Sequence, residues 1–415
     1  MGIMRSLYIA IMILLAISIV ACVQTEKPTP TPTPAPTPTP QKIKVKIGVL
    51  VPKTGKFQTK GVVMENAAKL AKKHIEEKGK VEIELEFADC GDSAEKTKAA
   101  FLDLANRGVV AIVGAYSSPQ AIAAADAALE TKTPYIVSVA STGLIEKKVA
   151  EGNSYVFRNA YNTTYWGKLA SEFLSLSGAE AYYFQGFQPL STFNKGMLNV
   201  IQQNTDLKLI DEVYYNPSVD PKDVQNKARD AAQKIGDKDV LILGDPGSLS
   251  VAFLKAYRGN GGKGIVYSVG GVLALPQTLK GLNSTADYTA FQAAALEKIA
   301  STEYTKKYFD GYRKEYEEEA NNYAGVLTYD AILILGQALE KLENVKSGDE
   351  KLKTSLIEEL EKGEFKGACG IYRFNAKHQA EWGSEKLEGK LAEWVNGEAL
   401  VLYPAKFAES EVLWP

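Results

Sequence analysis

The feature that most limits the fold of this chain is a repeated switch in apolar periodicity that begins near residue 42. Residues 44–52 (KVKIGVLVP) form a β-branched, apolar run typical of a strand, and Thr54 and Gly55 after it are typical of a turn. Residues 62–78 place apolar side chains on one helical face, with Lys and Glu opposite. Short connections between such elements predict an α/β fold, a doubly wound parallel sheet with helices on both faces.

The same alternation continues in two series. In the first, the pattern predicts strands over residues 81–87, 109–113 and 134–139 and helices over 94–106 and 119–130. After Arg158, it predicts helices over 164–176, 195–203, 221–235 and 249–258, and extended segments over 181–184, 207–215, 240–243 and 264–269.

The rest of the chain has a different pattern. We predict mostly helix over residues 291–342 and 350–361, and short strands within 370–404. Two α/β series, followed by a further segment that returns to them, predict two lobes between which the chain passes more than once. Because ligands bind beyond the carboxyl ends of parallel strands, we expect a ligand cleft where the two lobes face each other.

The first 22 residues are typical of a processing signal. Arg5 precedes an apolar stretch, residues 7–20, and Ala21 and Cys22 follow it. As a helix at about 1.5 Å per residue, this stretch is shorter than the hydrocarbon core of roughly 30 Å; a permanent transmembrane anchor is the alternative. The IVAC run ending at Cys22 resembles the lipobox of secreted lipoproteins, which implies that residues 1–21 are a signal peptide and that Cys22 is lipidated.

Residues 28–40 (PTPTPTPAPTPTP) alternate Pro with Thr or Ala. Such a run cannot form a core and favours extended polyproline II, so it would hold the following lobes roughly 40 Å from an anchor. A proline-rich ligand for a recognition domain is the alternative. We therefore expect residues 22–42 to tether an extracytoplasmic protein to the outer face of the cell membrane.

Composition argues against catalysis. The 415 residues include 3 Cys and only 2 His, which is too few for zinc sites of Cys and His, iron–sulfur clusters or a disulfide framework, and leaves little histidine for general-base chemistry. The formal net charge of −2 supplies no basic field, so we expect no nucleic-acid partner. We predict a protein that is not an enzyme and needs no metal and no cofactor.

Individual motifs agree with that prediction. Residues 259–264 (GNGGKG) lack the Ser or Thr of a phosphate loop after Gly-Lys and follow a predicted helix, so we interpret them as a turn into the next strand. His74 lies on a helix rich in Lys and Glu, where we expect it to be solvated. His378 falls in a polar turn.

Small hydroxyl residues follow two strands of the first series, in residues 114–118 (GAYSS) and 138–143 (SVASTG). Their backbone N–H groups and hydroxyls form a donor array suited to a carboxylate or carbonyl oxygen. Helix capping favours the same residue types, so both interpretations stay open.

Cys90 and Cys369 are the thiols that remain if Cys22 is lipidated. Outside the cytoplasm, two remaining thiols favour a disulfide. Two free buried cysteines are the alternative, because the sequence does not give the distance between them.

Several motifs, in order, resemble one family. They are IGVLVPKTG at Ile47, VVAIVGAYSS at Val109, TPYIVSVASTG at Thr133, YVFRNA at Tyr155, NNYAGVLTYDAI at Asn321 and FKGACGIYRFN at Phe365. Residues 43–404 resemble the leucine/isoleucine/valine-type solute-binding proteins of ABC transporters. The resemblance implies the type I periplasmic-binding fold, two lobes joined by three crossovers that close on a ligand. It implies lobe 1 from residues 43–159 and 276–370, and lobe 2 from 160–275 and 371–415.

The resemblance also implies ligand contacts. The family's first lobe holds an amino acid's carboxylate with a hydroxyl and backbone groups of two loops. Those positions here are Ser117, Ala140 and Thr142, and Tyr116, Ser118 and Ser141 are adjacent. The family's second lobe adds a tyrosine, whose place falls near Phe193.

The family's acid for the ligand's α-ammonium is missing here. Its loop reads SVGG at residues 268–271, so no carboxylate stands at Gly270. Because a buried ammonium without a partner is costly, an ordinary α-amino acid fits less well. Asp245, at a neighbouring strand end, is a substitute, and turn formation is its alternative role.

We therefore expect a monomeric, membrane-tethered receptor that binds an amino acid or related small polar solute. Its partners would be the permease and ATPase subunits of an ABC importer. A ligand without an α-ammonium, such as an amide, a urea-like compound or a carboxylate, is one alternative. A ligand-binding domain of an extracytoplasmic sensor and an extracytoplasmic enzyme are the others.

Overall fold

Two β-sheets organise the residues that the computed structural model describes, 42–342 and 351–415. The predicted signal peptide, Cys22 and the tether lie outside these residues. Between residues 42 and 158 the elements are β1 (Ile43–Val51), α1 (Gln58–Glu76), β2 (Val81–Asp89), α2 (Ala94–Asn106), β3 (Ala111–Gly114), α3 (Ser118–Thr131), β4 (Tyr135–Val137), α4 (Leu144–Ala150) and β5 (Val156–Arg158).

These five strands form one parallel sheet in the order β2-β1-β3-β4-β5. The second half of β1 is buried without a break, and so are all of β3, β4 and β5. Helices therefore cover both faces, as expected for strands joined by crossover helices. We call this sheet and the helices packed on it lobe 1.

The chain then enters lobe 2, which is built on the second sheet. Its elements up to residue 293 are α5 (Thr163–Ser177), β6 (Ala181–Phe187), α6 (Ser191–Asn204), β7 (Lys208–Tyr215), α7 (Asp223–Lys234), β8 (Asp239–Leu243), α8 (Leu249–Gly259), β9 (Ile265–Ser268), α9 (Pro276–Leu279) and β10 (Thr289–Ala293). The later elements are α10 (Glu303–Tyr316), α11 (Ala324–Lys341), α12 (Lys351–Lys362), β11 (Phe365–Lys366), β12 (Ile371–Tyr372), β13 (Lys390–Val395) and β14 (Glu398–Tyr403).

The second sheet has the order β14-β13-β10-β9-β8-β6-β7. Strands β6 to β10 run parallel, whereas β13 and β14 add an antiparallel edge. Helices α10 and α11 return to lobe 1, where both pack against α1, and α12 packs on α11. Helix α11 is buried along nearly its whole length, because its sequence is apolar on every face.

In the two described ranges the chain passes between the lobes three times, after β5, after β10 and after β12. This confirms the predicted fold class of two doubly wound lobes joined by three crossovers. None of the helices in these ranges is long and apolar enough to cross a lipid bilayer.

Strand β10 differs from the sequence-based expectation. We predicted mostly helix from residue 291 and placed 276–370 in lobe 1, but residues 289–293 form a central strand of the lobe 2 sheet. All five residues are buried, between β9 and β13. A five-residue strand buried on both faces shows no alternation, so periodicity could not separate it from the helices that follow.

Candidate ligand-binding cleft

The turn from β3 into α3 is sharply constrained. Gly114 and Ala115 both have positive φ, 121° and 57°. A Cβ atom on Gly114 would lie 2.2 Å from the Leu50 carbonyl oxygen, to which the Ala115 N–H donates at 3.0 Å. Such backbone persists only where its surroundings hold it, and it is frequent at ligand sites. The turn brings Tyr116 next to Phe57, with ring centroids 4.9 Å apart.

Ser117, the predicted carboxylate-binding hydroxyl, caps α3. Its N–H and its hydroxyl both donate to Gln120 Oε1, each at 2.9 Å. Gln120 Nε2 in turn donates to the carbonyl of Gly91, two residues after β2, at 2.9 Å. Capping therefore accounts for Ser117 in the structure. Ser118 is the first residue of α3 and is half-buried.

The loop after β4 uses its hydroxyls in the same way. Ser141 Oγ accepts a hydrogen bond from Trp166 Nε1 at 2.9 Å, and the Ser141 carbonyl accepts two from Thr163. Thr142 Oγ1 accepts the Leu144 N–H at 3.3 Å. These hydroxyls hold lobe 1 to the start of α5 and shape the loop.

At this edge of lobe 1, backbone N–H groups are the donors that could bind a ligand. Within the described residues, the N–H groups of Tyr116, Ala140, Ser141 and Thr142 donate to no acceptor. Ala140 is 3% exposed. Because a buried N–H without a partner is costly, these groups are suited to an acceptor on a bound molecule.

Asp245 follows β8 at the facing edge of lobe 2 and is 3% exposed. Its Oδ2 accepts the Tyr215 hydroxyl at 2.5 Å, and its Oδ1 accepts the Gly247 N–H at 2.8 Å. Burial raises the pKa of Asp245, and these two hydrogen bonds and the charge of Lys60 oppose the shift. Asp245 therefore shapes its own turn, as the alternative role predicted, and also faces lobe 1.

Gly270 and Gly271 show why no acid stands in the last strand-end loop. Both have positive φ, 88° and 67°. A Cβ atom on Gly270 would lie 2.4 Å from the Gln292 carbonyl oxygen, and one on Gly271 would lie 2.0 Å from that of Pro246. Backbone of neighbouring loops fills the space that a side chain would need.

Aromatic side chains lie beside these loops in the candidate cleft. Phe193, in the first turn of α6, is half-buried and packs edge-on against Trp166, with ring centroids 5.5 Å apart. Trp166 also contacts Tyr323, at 4.9 Å. Burial raises the pKa of Tyr116 to about 12, and Asp245 contributes to the shift.

Sequence reasoning missed four residues of this cleft: Phe57, Lys60, Trp166 and Tyr323. Phe57 and Lys60 follow β1, whose carboxyl end lies at the same edge as those of β3 and β4, so the strand-end rule could have found them. Trp166 and Tyr323 lie at the start of helices that follow crossovers, and the pattern carried no signal for them.

Comparison with family models matches residues 44–384 to the family described as periplasmic binding protein. The chain belongs to this family. The resemblance indicated by the motifs is therefore confirmed, and the family's description implies binding proteins that act outside the cytoplasm. Comparison with curated proteins gives no match.

Solved structures share the fold of this periplasmic binding protein. LivJ of Streptococcus pneumoniae, a branched-chain amino acid transporter substrate-binding protein in complex with isoleucine, is 20% identical, covers 90% of this chain and 100% of its own, and has a TM-score of 0.71. The leucine-binding protein LivK of Thermotoga maritima is 20% identical over 86% of this chain and 97% of its own, at 0.69. A solute-binding protein of Rhodopseudomonas palustris in complex with 3,4-dihydroxy benzoic acid is 19% identical over 86% and 95%, at 0.70.

The predicted disulfide of this binding protein is wrong. Cys90 and Cys369 are both buried and free. Cys90 packs among residues of lobe 1 such as Phe101, whereas Cys369 belongs to a separate hydrophobic cluster that includes Tyr372. Burial raises the pKa of the Cys90 thiol to about 12.

The expected solvation of His74 is wrong as well. His74 is 8% exposed, and its Nδ1 lies 2.7 Å from the Tyr329 hydroxyl of α11. His378 stacks on Phe157, with ring centroids 4.0 Å apart. The glycine-rich residues 259–264 are confirmed as a turn, since α8 ends at Gly259 and β9 begins at Ile265.

Proposed function

We propose that this periplasmic binding protein captures a small polar solute outside the cytoplasm and delivers it to an ABC importer without chemical change. The observation that carries the proposal is that the carboxyl-end edges of the two sheets face each other. Lobe 1 presents backbone N–H groups, at Tyr116 and residues 140–142, that have no acceptor in the part of the chain that the structure describes, and lobe 2 presents buried Asp245. Such an arrangement is suited to binding a small polar ligand.

An amino acid or related solute is the first ligand class to test. LivJ holds isoleucine, and the loop of residues 140–142 supplies donors suited to a carboxylate. The packing at Gly270 and Gly271 favours a second candidate, a carboxylate or amide that lacks an α-ammonium.

The test is a screen of amino acids, amides, urea and small carboxylates. A ligand that bridges the lobes should raise the melting temperature, since it binds only the folded state, and should lower the radius of gyration in small-angle scattering. A protein that shows neither response to any compound of the screen contradicts the proposal.

We further propose that a lipid on Cys22 and the Pro/Thr tether hold a monomeric receptor at the membrane, where the permease and ATPase subunits are its partners. The lipobox-like sequence and the proline run support this. The full-length chain, expressed in a host that acylates lipoproteins, should fractionate with membranes, and its Cys22→Ser variant should not. Equal membrane association of the two would contradict lipidation.

A further inference from the structure

We infer that the ligand is a carboxylate with an aromatic or apolar body and no ammonium group, and that Lys60 selects it. This inference rests on the proposed function and concerns the same cleft.

Lys60 carries a positive charge into the cleft from lobe 1. It lies in the first turn of α1, directly after the carboxyl end of β1, and is half-buried. Within the described residues its ammonium makes no ion pair and no hydrogen bond, although it is close enough to Asp245 for the two charges to interact. Partial burial of a cation without a hydrogen-bond acceptor is costly, and an anionic ligand removes that cost.

Asp245 is unsuited to pair with an ammonium group of a ligand, because of its hydrogen bonds and because of Lys60. Its carboxylate already accepts hydrogen bonds from Tyr215 and Gly247, and the charge of Lys60 lies opposite. A ligand ammonium placed beside Asp245 would also lie near Lys60, where two positive charges repel each other. In the neighbouring loop, the backbone at Gly270 and Gly271 excludes the side chain of any other acid.

The walls of the cleft fit an aromatic or apolar ligand body. Phe57 and Tyr116 form a ring pair in lobe 1, and Trp166, Phe193 and Tyr323 form a ring cluster at the entry to lobe 2. Four of these rings are only half-buried, so they keep faces or edges that a ligand can cover. Aromatic rings contribute much apolar area at low entropic cost, and their edges pack well on other rings.

Lobe 1 offers hydrogen-bond donors for the carboxylate end of such a ligand. The backbone N–H groups of Ala140, Ser141 and Thr142 have no acceptor in the described residues, and Lys60 adds the charge. Charge-assisted hydrogen bonds of this type are roughly twice as strong as neutral ones. Anion recognition and aromatic packing thus act at two ends of one ligand.

Matched ligand pairs test the inference by isothermal titration calorimetry on the full chain. 3-Phenylpropanoate and L-phenylalanine, and likewise 4-methylpentanoate and L-leucine, differ only in the α-ammonium. We expect the member without the ammonium to bind at least tenfold more tightly in each pair. Amino acids that bind as tightly as their partners overturn the inference and leave the receptor function standing. Absence of binding by both series, together with a negative solute screen, overturns both.

Variants of Lys60 test its role. Lys60→Met should lower the ratio of carboxylate to amino-acid affinity at least tenfold, because it removes the partner of the ligand's carboxylate and the positive charge that repels an ammonium near Asp245. Lys60→Arg should keep most of the wild-type ratio. Lys80→Met removes an exposed charge next to the start of β2, at the opposite end of the same sheet, and should leave the ratio unchanged. An unchanged ratio in a folded Lys60→Met protein overturns the assignment.

Discussion

At the scale of single residues, two buried carboxyl groups outside the cleft differ in how they are held. Asp330 on α11 accepts the N–H groups of Ala368 and Cys369 and the hydroxyl of Tyr372. Glu393 on β13 accepts one N–H, from Leu413 at 2.9 Å, and its Oε1 has no partner within the described residues. Glu393 is therefore the carboxylate whose charged form the fold compensates less.

The pH dependence of stability should show this difference. Burial raises the pKa of Glu393 from 4.5 to about 7. Because the folded pKa lies above the unfolded value, the stabilising contribution is full below about pH 4.5 and is lost as the pH rises through 7. In Glu393→Gln, the fall in unfolding free energy between pH 5 and pH 8 should be smaller than in wild type, by about 2–3 kcal/mol.

Urea unfolding at the two pH values measures the effect. At pH 5 the Glu393 side chain is mostly neutral in the folded protein, as Gln is in the variant, so the two proteins should differ less there than at pH 8. The same pH dependence in both proteins would contradict the compensation argued for Glu393.

At the scale of elements, the turn between β3 and α3 sets where the lobe 1 donors lie. Its path depends on Gly114, whose Cα packs against the Leu50 carbonyl, and on Ala115 in the left-handed region. The capping of α3 by Ser117 then fixes the direction of the helix. The position of Tyr116 is therefore set by the backbone of Gly114 and Ala115 and by the cap at Ser117, as well as by the contacts of its own ring.

Gly114→Ala should therefore destabilise the protein and also weaken ligand binding. The added Cβ combines left-handed strain of about 1–2 kcal/mol with an overlap against backbone that must move. Gly108→Ala is the matched control, since Gly108 also has positive φ, 77°, but has open space around its Cβ position. Thermal unfolding and ligand titration should show a larger loss for Gly114→Ala in both measurements; equal losses in stability would contradict the role of the Leu50 contact.

Much at this scale was predictable from the sequence. Helix α2 has the predicted bounds, and the strand-end rule placed both hydroxyl loops at the cleft edge. The actual use of the hydroxyls was not predictable, because it depends on distant partners such as Gln120 and Trp166. His74 is a similar case. The face of α1 that looks polar in sequence lies under α11, which returns some 250 residues later.

At the scale of the whole molecule, the lobes are linked at the cleft as well as by the three crossovers. Trp166, on the first helix of lobe 2, donates to Ser141 of lobe 1, and its ring contacts Tyr323 at the start of α11. These contacts need both lobes in their present arrangement. We therefore expect them to stabilise the present arrangement relative to an open one, in which the edges separate.

Trp166→Phe should shift the lobes towards the open state. It keeps an aromatic ring against Phe193 and Tyr323 but removes the hydrogen bond to Ser141 Oγ, which contributes about 1 kcal/mol. Because a ligand that bridges the lobes must then also offset that loss, its affinity should fall about fivefold. Trp414→Phe is the control. Trp414 Nε1 donates to the Ser177 carbonyl at 3.2 Å, a bond of the same kind made entirely within lobe 2.

The measurement is titration with the tightest compound of the solute screen, together with small-angle scattering at saturation. Saturating ligand should bring Trp166→Phe to the wild-type radius of gyration, because the substitution alters the equilibrium between open and closed states and not the closed shape. Loss of affinity in Trp414→Phe of the same size would assign the effect to stability of lobe 2. Wild-type affinity in Trp166→Phe would mean that the crossovers and the ligand alone determine closure, and that the hydrogen bond across the cleft contributes nothing to it.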